Sequence, residues 1–179
     1  ALIICFVFIT RVNAENEKIS SDVINLKSQS GIIIEADTGK VLFEKDADTK
    51  RSPASMTKIM TMLLIVEELE KGNILLKDEV AISERAASMG GSQIYLEKGS
   101  TATVEELLTT IAVGSANDSA VAMAEKIGGT VENFVVLMNK RAKQLGANNT
   151  TFKNPHGLDE EGHETTARDM ALIAKEVVK

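Results

Sequence analysis

The sequence contains the hexapeptide Pro53-Ala54-Ser55-Met56-Thr57-Lys58 at the point where a polar segment gives way to an apolar helical pattern. From the hexapeptide onward, apolar residues recur with a helical period on one face: Met56, Ile59, Met60, Leu63 and Val66. This spacing predicts a helix that runs to about Lys71 and ends at Gly72, with Ser55 at its N-cap. Lys58 follows Ser55 by three residues and lies on the same side of the first turn.

Ser55 and Lys58 have the spacing of an activated serine nucleophile. A serine hydroxyl is a weak nucleophile by itself, so an adjacent base must accept its proton as it attacks. An amine kept neutral by burial can serve as that base. The same Ser-x-x-Lys pattern also arises by chance, because an N-cap serine followed by a solvated lysine is common in helices. The rest of the chain decides between the two interpretations.

The composition is that of one soluble globular domain. The chain has 179 residues, of which 44% are hydrophobic and 26% charged, enough for one domain with a sizeable core. The net charge is -6 and no basic cluster is present, which argues against nucleic acid and anionic membrane surfaces as electrostatic partners. His156 and His163 are seven residues apart without a third ligand at zinc-like spacing. We therefore expect no metal site and no cofactor.

The N-terminal residues predict export. Residues 2–9 form an apolar run that is too short to span a bilayer, and small residues suited to signal peptidase follow at 12–14. We interpret residues 1–14 as a signal peptide and 15–29 as a flexible start of the mature chain. A membrane anchor or a buried strand is the alternative for the apolar run. Cys5, the one cysteine, would leave with the signal peptide.

The following residues predict a hairpin and then several helices. Segments 32–36 and 41–44 alternate on either side of the turn at 37–40, and the three isoleucines at 32–34 indicate a strand buried on both faces. Short elements are predicted at 79–82 and 93–96. Later helix starts are predicted at Thr103 (a capping box with Glu106), Asp118-Ser119, Thr130 and Thr166, with stops at Gly114, Gly128-Gly129 and Gly146.

A second candidate site is the triplet Ser115-Ala116-Asn117, on the predicted turn between two helices. Small polar residues often form such turns, so the triplet alone is weak evidence. Ser-x-x-Lys followed by Ser-x-Asn is, however, the motif order of the penicillin-recognising serine enzymes. The chain resembles the serine-type D-alanyl-D-alanine carboxypeptidases, the low-molecular-weight penicillin-binding proteins of peptidase family S11. Segments 31–40, 53–61, 114–119, 152–158 and 165–171 all resemble parts of that family.

This resemblance implies an α+β fold of the β-lactamase/transpeptidase type, in which helices accompany an antiparallel sheet. It implies Ser55 as the acyl-enzyme nucleophile and Lys58 as its base. It also implies that Ser115 relays a proton to the leaving D-alanine and that Asn117 binds the backbone of the substrate peptide. The expected reaction removes the terminal D-alanine of peptidoglycan stem pentapeptides at the outer face of the cytoplasmic membrane, and β-lactams are expected to acylate Ser55.

The family's third motif, Lys-Thr-Gly, is missing from the sequence. Thr38-Gly39-Lys40 has those letters in another order and lies in a turn before Ser55. We therefore expect residues 30–179 to be the N-terminal part of the catalytic domain, with the later strands beyond Lys179, where the membrane anchor that many family members carry would also lie. Two alternatives stay open. One is a class A-like β-lactamase, although 147–164 lacks Glu-x-x-x-Asn. The other is a non-catalytic envelope protein that binds peptidoglycan.

Overall fold

The structure, a computed structural model, describes residues 26–179. The predicted signal peptide and residues 15–25 lie outside the described residues. The strands are β1 (Gly31–Ile34), β2 (Val41–Lys45), β3 (Glu79–Ala81) and β4 (Thr101–Thr103). The helices are α1 (Thr57–Glu70), α2 (Glu84–Ala87), α3 (Val104–Gly114), α4 (Asn117–Gly128), α5 (Val131–Gln144) and α6 (Ala167–Val177). None of the helices within 26–179 has the length and apolar composition that a bilayer span requires.

The predicted N-terminal hairpin is confirmed, but the burial of its first strand is not. β1 and β2 pair antiparallel, with a register irregularity between Ile33 and Ile34. The prediction that β1 is buried on both faces is wrong for this chain, because Ile33 is 40% exposed. Within the described residues β1 pairs only with β2, and Ile32 and Ile34 line an open groove of about 470 Å³ beside α6. The three isoleucines of β1 are therefore less covered than the side chains of a central strand would be.

The predicted N-cap at Ser55 is also wrong. The helix begins one residue later than expected, at Thr57, and a 3-10 turn over Ala54–Met56 precedes it. An N-cap residue needs an extended backbone so that its side chain can reach back to the first amides. Met56 occupies the cap position with helical angles and no side-chain cap bond. Ser55 already lies inside the 3-10 turn, so its hydroxyl does not cap α1.

The other helix starts follow the capping signals. Thr103 forms the predicted capping box with Glu106, and the side chains of Thr130 and Thr166 cap α5 and α6. α3 ends at Gly114 as predicted. α4 begins at Asn117, one residue before the predicted start.

The segment between α1 and α3 differs most from the prediction. The expected strand at 79–82 is present as β3, and it pairs antiparallel with β4, a strand that the sequence did not indicate. The short helix α2 was likewise not predicted. The expected element at 93–96 is not a strand. Its backbone N–H groups at Ile94 and Leu96 instead donate to the buried carboxylate of Asp118, at 3.0 and 3.1 Å.

Helix α4 lies at the centre of the fold. Its first eight residues are buried, and it packs against α1, α2, α3 and α5. The largest fully buried side chains of the described residues are Phe134, Phe152, Met60, Ile65, Leu107, Met123, Met138 and Ile173. This aliphatic, Met-rich core fixes the N-terminus of α4 against the C-terminus of α3, where the Ser115-Ala116-Asn117 triplet lies.

A matched pair of glycines tests the packing of α4 on α5. A Cβ on Gly128, the last residue of α4, would lie 2.7 Å from the backbone nitrogen of Phe134, whereas a Cβ on Gly114, the last residue of α3, would meet nothing within 4 Å. We expect Gly128→Ala to lower the free energy of unfolding by about 1–3 kcal/mol, the usual cost of overpacking. Gly114→Ala should leave it unchanged or raise it. Urea unfolding of both variants measures the difference, and equal stabilities would contradict the packing described.

Candidate active site

The side chain of Lys58 is buried at the start of α1. It is 2% exposed, and its Nζ donates a hydrogen bond of 2.6 Å to the backbone carbonyl of His156. Burial disfavours the charged form of an amine and lowers the pKa of Lys58 to about 8. A substantial fraction of the side chain is therefore a neutral amine near physiological pH. A solvated lysine, the non-catalytic interpretation of the motif, would not have this environment.

Ser55 is exposed in the 3-10 turn that leads into α1. Within residues 26–179 no hydrogen bond joins its hydroxyl to Lys58; the amine of Lys58 is directed to His156. The turn itself contains Ala54, a non-glycine residue with φ of +48°. Such residues are uncommon, and their strain is often found at functional sites.

Ser115 occupies the junction between α3 and α4 in a left-handed conformation, with φ of 54°. Its Oγ is buried and has no hydrogen-bond partner among the described residues. A buried hydroxyl without a partner costs about 1–3 kcal/mol, so native proteins rarely keep one without a function. The position of Ser115 therefore suits a group that hydrogen-bonds a ligand.

Asn117, the first residue of α4, is joined to a loop that the sequence did not associate with the site. Its backbone N–H donates to the carbonyl of Ser92 and its side-chain amide donates to the carbonyl of Gly90, both at 2.7 Å. A Cβ on Gly91 would lie 2.8 Å from the Asn117 amide nitrogen. The pair Gly90-Gly91 is the feature of the sequence that could have indicated this contact, because glycine often marks a close approach of the backbone.

A loop that follows α5 connects the two motifs. Gly157 packs directly on the backbone of Ala54, next to Ser55. The neighbouring Leu158 lies beside Gly91, with its Cδ2 3.7 Å from the position of a Cβ on that glycine. Because Gly91 packs on Asn117, this series of contacts links the two motifs, although Ser115 follows Ser55 by 60 positions in the chain.

Both histidines are neutral and hold this loop in place. His163 Nδ1 accepts from the backbone N–H of Lys153, so its Nε2–H donates to Thr57 Oγ1 at 2.8 Å. Burial lowers the pKa of His163. Burial and the nearby charge of Lys58 lower the pKa of His156 to about 4. No group of three or more metal-binding side chains occurs between residues 26 and 179.

Comparison with known proteins identifies the family of the chain. The profile of the family described as D-alanyl-D-alanine carboxypeptidase, peptidase S11, matches residues 14–179. The chain belongs to this family. One relative is the D-alanyl-D-alanine carboxypeptidase DacF of Bacillus subtilis, which is 59% identical over 153 residues. The match covers 86% of this chain and 39% of DacF, so the chain spans less than half the length of this relative.

Solved structures of the family share the fold. The D-alanyl-D-alanine carboxypeptidase DacD of Francisella tularensis superposes with a TM-score of 0.83 and 44% identity, over 85% of this chain and 37% of that structure. Penicillin binding protein 5 of Haemophilus influenzae superposes with a TM-score of 0.81 and 36% identity, over 84% of this chain and 45% of that structure. The predicted α+β fold of the transpeptidase type is confirmed.

The buried hydroxyl of Ser115 leads to a stability test with a matched control. Ser119, in the same region, is buried too, but its Oγ shares a hydrogen bond of 2.8 Å with Thr110. Ser115→Ala removes a polar atom that has no partner, so we expect the free energy of unfolding to stay the same or rise. Ser119→Ala should lower it by about 1 kcal/mol, because a made hydrogen bond is lost. If urea unfolding shows a larger loss for Ser115→Ala, its hydroxyl has a partner in the folded protein.

Proposed function

We propose that the protein is a serine-type D-Ala-D-Ala carboxypeptidase that binds penicillin. The observation that supports it best is the buried amine of Lys58, three residues after the exposed Ser55. A base whose pKa lies near the working pH is what serine acylation requires. The family membership and the names of the relatives support the same substrate class. The substrate is the D-Ala-D-Ala terminus of a peptidoglycan stem pentapeptide.

The reaction proceeds through an ester on Ser55. The hydroxyl oxygen attacks the carbonyl carbon of the last peptide bond as its proton passes to the neutral amine of Lys58. The oxyanion that forms is stabilised by the backbone N–H of Ser55, beside the positive end of α1. The bond to the leaving D-alanine nitrogen then breaks as that nitrogen gains a proton. Water hydrolyses the ester, which releases the shortened peptide and restores Ser55.

Ser115 and Asn117 complete the proposed site. The unpartnered hydroxyl of Ser115 relays the proton from Lys58 to the leaving amine. Asn117 binds the backbone of the substrate peptide, and the hydrogen bond of its amide to Gly90 fixes the orientation of the side chain. No cofactor takes part in this mechanism.

The location of the protein follows from its substrate. Because the substrate is part of the cell wall, we place the protein at the outer face of the cytoplasmic membrane. It is exported by a signal peptide at residues 1–14, and the catalytic part begins at residue 30. A membrane anchor outside this chain would hold it there. β-lactams act as covalent inhibitors, and nucleic acid is not a partner.

The direct test is covalent labelling with a fluorescent penicillin. We expect the full-length protein to form an adduct on Ser55 and Ser55→Ala to form none, while Ser88→Ala, which changes an exposed serine, labels normally. Mass spectrometry of the labelled peptide locates the adduct. An adduct on the Ser55→Ala variant would overturn the assignment.

The lifetime of the adduct distinguishes the alternatives. A carboxypeptidase should keep the penicilloyl ester for minutes or longer and should release D-alanine from a stem pentapeptide. Rapid turnover of penicillin would instead indicate a β-lactamase. Binding of the pentapeptide without release of D-alanine would indicate a non-catalytic peptidoglycan-binding protein.

The pKa of Lys58 sets the expected pH dependence. Only the neutral amine can accept the Ser55 proton, and the neutral fraction rises as the pH passes through a pKa of about 8. Acylation should therefore accelerate by about a hundredfold in all between pH 6 and a plateau that begins about one unit above the pKa. Lys58→Arg should abolish acylation because a guanidinium stays charged. Lys71→Arg, at the exposed end of the same helix, should not. A rate that does not change over this pH range would rule out Lys58 as the base.

A further inference from the structure

Three consecutive residues of the loop after α5 contact the segment that carries Ser55 and Lys58. The carbonyl of Pro155 accepts a hydrogen bond of 2.7 Å from Thr61 Oγ1. The carbonyl of His156 accepts the 2.6 Å bond from Lys58 Nζ. Gly157 then packs on the backbone just before Ser55. The backbone of the loop therefore contacts the amine of Lys58 and the peptide group between Ala54 and Ser55.

The contact made by Gly157 leaves no room for a side chain. A Cβ on Gly157 would lie 1.9 Å from the carbonyl oxygen of Ala54, 2.4 Å from its carbonyl carbon and 3.0 Å from the nitrogen of Ser55. Gly157 also has φ of +93°, a conformation that other residues rarely adopt. Glycine is thus required here for the backbone approach as well as for the conformation.

The Gly157 contact fixes the orientation of the Ser55 amide. No peptide bond in the described chain is cis, and in a trans peptide the C=O and the following N–H point in opposite directions. The carbonyl of Ala54 faces Gly157 and accepts from the N–H of Thr57. The N–H of Ser55 must therefore point away from the loop. This is the amide that would donate to the oxyanion.

The side chain of Asn154 holds the loop in this shape. It is 6% exposed, and its Oδ1 accepts from the backbone N–H of Gly157 at 2.7 Å and of His156 at 3.3 Å. Its Nδ2 donates to the carbonyl of Leu158 at 2.9 Å and to Glu160 at 3.2 Å. An amide is the side chain that can accept and donate in this pattern.

We propose that Asn154 and Gly157 are positioning residues for acyl transfer: Asn154 shapes the loop, whose backbone then sets the Ser55 amide and the Lys58 amine. Neither residue contacts the substrate or the reacting atoms. The inference rests on the proposed roles of Ser55 and Lys58, and it adds two residues that act through them. A loop with a purely structural role would affect stability without selectively slowing the chemical step.

The first experiment compares Gly157→Ala with Gly146→Ala in the full-length protein. Both glycines have positive φ, +93° and +82°, but a Cβ on Gly146 would meet nothing within 4 Å. The two alanines thus carry similar backbone strain, and only the one at 157 displaces the Ser55 turn. Saturation kinetics of acylation by penicillin separate the dissociation constant of the initial complex from the limiting acylation rate. The measurements are made at a pH well above 8, so that the Lys58 amine is neutral in every variant.

We expect Gly157→Ala to lower the limiting acylation rate by about a hundredfold, as misplacement by about an ångström can do. The dissociation constant should change by less than about threefold, because Gly157 is buried beneath the Ser55 turn. Gly146→Ala should acylate at the wild-type rate. Equal limiting rates for the two alanine variants would overturn the proposal.

Asn154→Asp provides the second test if Gly157→Ala does not fold. The aspartate has nearly the same shape and keeps an acceptor for Gly157, but it loses both donors and places a carboxylate oxygen against the carbonyl of Leu158 and against Glu160. We expect its limiting rate to fall by at least about tenfold while circular dichroism shows a folded protein. A folded variant with the wild-type rate would overturn the proposal. A wild-type protein that forms no Ser55 adduct would instead overturn the proposed function itself.

Discussion

The candidate active site depends on the burial of one amine, that of Lys58, away from water. Lys58 is 2% exposed, and its bond to the carbonyl of His156 is made with a backbone dipole, not with a carboxylate. A carboxylate partner would stabilise the ammonium and raise its pKa, whereas burial alone lowers it. The surrounding chain can keep the amine in this state only by closing a loop over the first turn of α1. The burial that forms the core therefore also tunes the candidate base.

Buried polar side chains hold the irregular segments around that turn. Asp118 accepts from the backbone at 94 and 96, Asn117 donates to the carbonyl of Gly90, and Asn154 organises the loop at 154–158. Irregular backbone cannot satisfy its own N–H and C=O groups as helices and strands do. Each of these side chains meets that need for a segment that is neither helix nor strand.

Two of the four non-glycine residues with positive φ in the described chain lie in or beside the two motifs. Ala54 and Ser115 both have positive φ, and the hydroxyl of Ser115 is buried without a partner in the described residues. Each feature costs free energy by itself, of the order of 1–3 kcal/mol. The rigid packing of α4 against its neighbours sustains that cost. Strain and an unpaired polar group next to Ser55 and Asn117 are consistent with a site arranged for a ligand.

The hairpin and most of the helices could be predicted from the sequence, because they depend on local properties. The fold class was implied by the resemblance of the two motifs and their order to a known family. Thr103, Thr130 and Thr166 cap the helices they precede, and the turn at 37–40 joins the predicted hairpin. The backbone at Ser55, the burial of Lys58 and the path of 90–96 could not be predicted from the sequence. Those features depend on residues distant in the chain: His156, Gly157 and Asp118 act through contacts that no local periodicity records. The Ser-x-x-Lys pattern indicated Ser55 and Lys58 as candidates. Packing against a loop about 100 residues away in the sequence made Lys58 a candidate base.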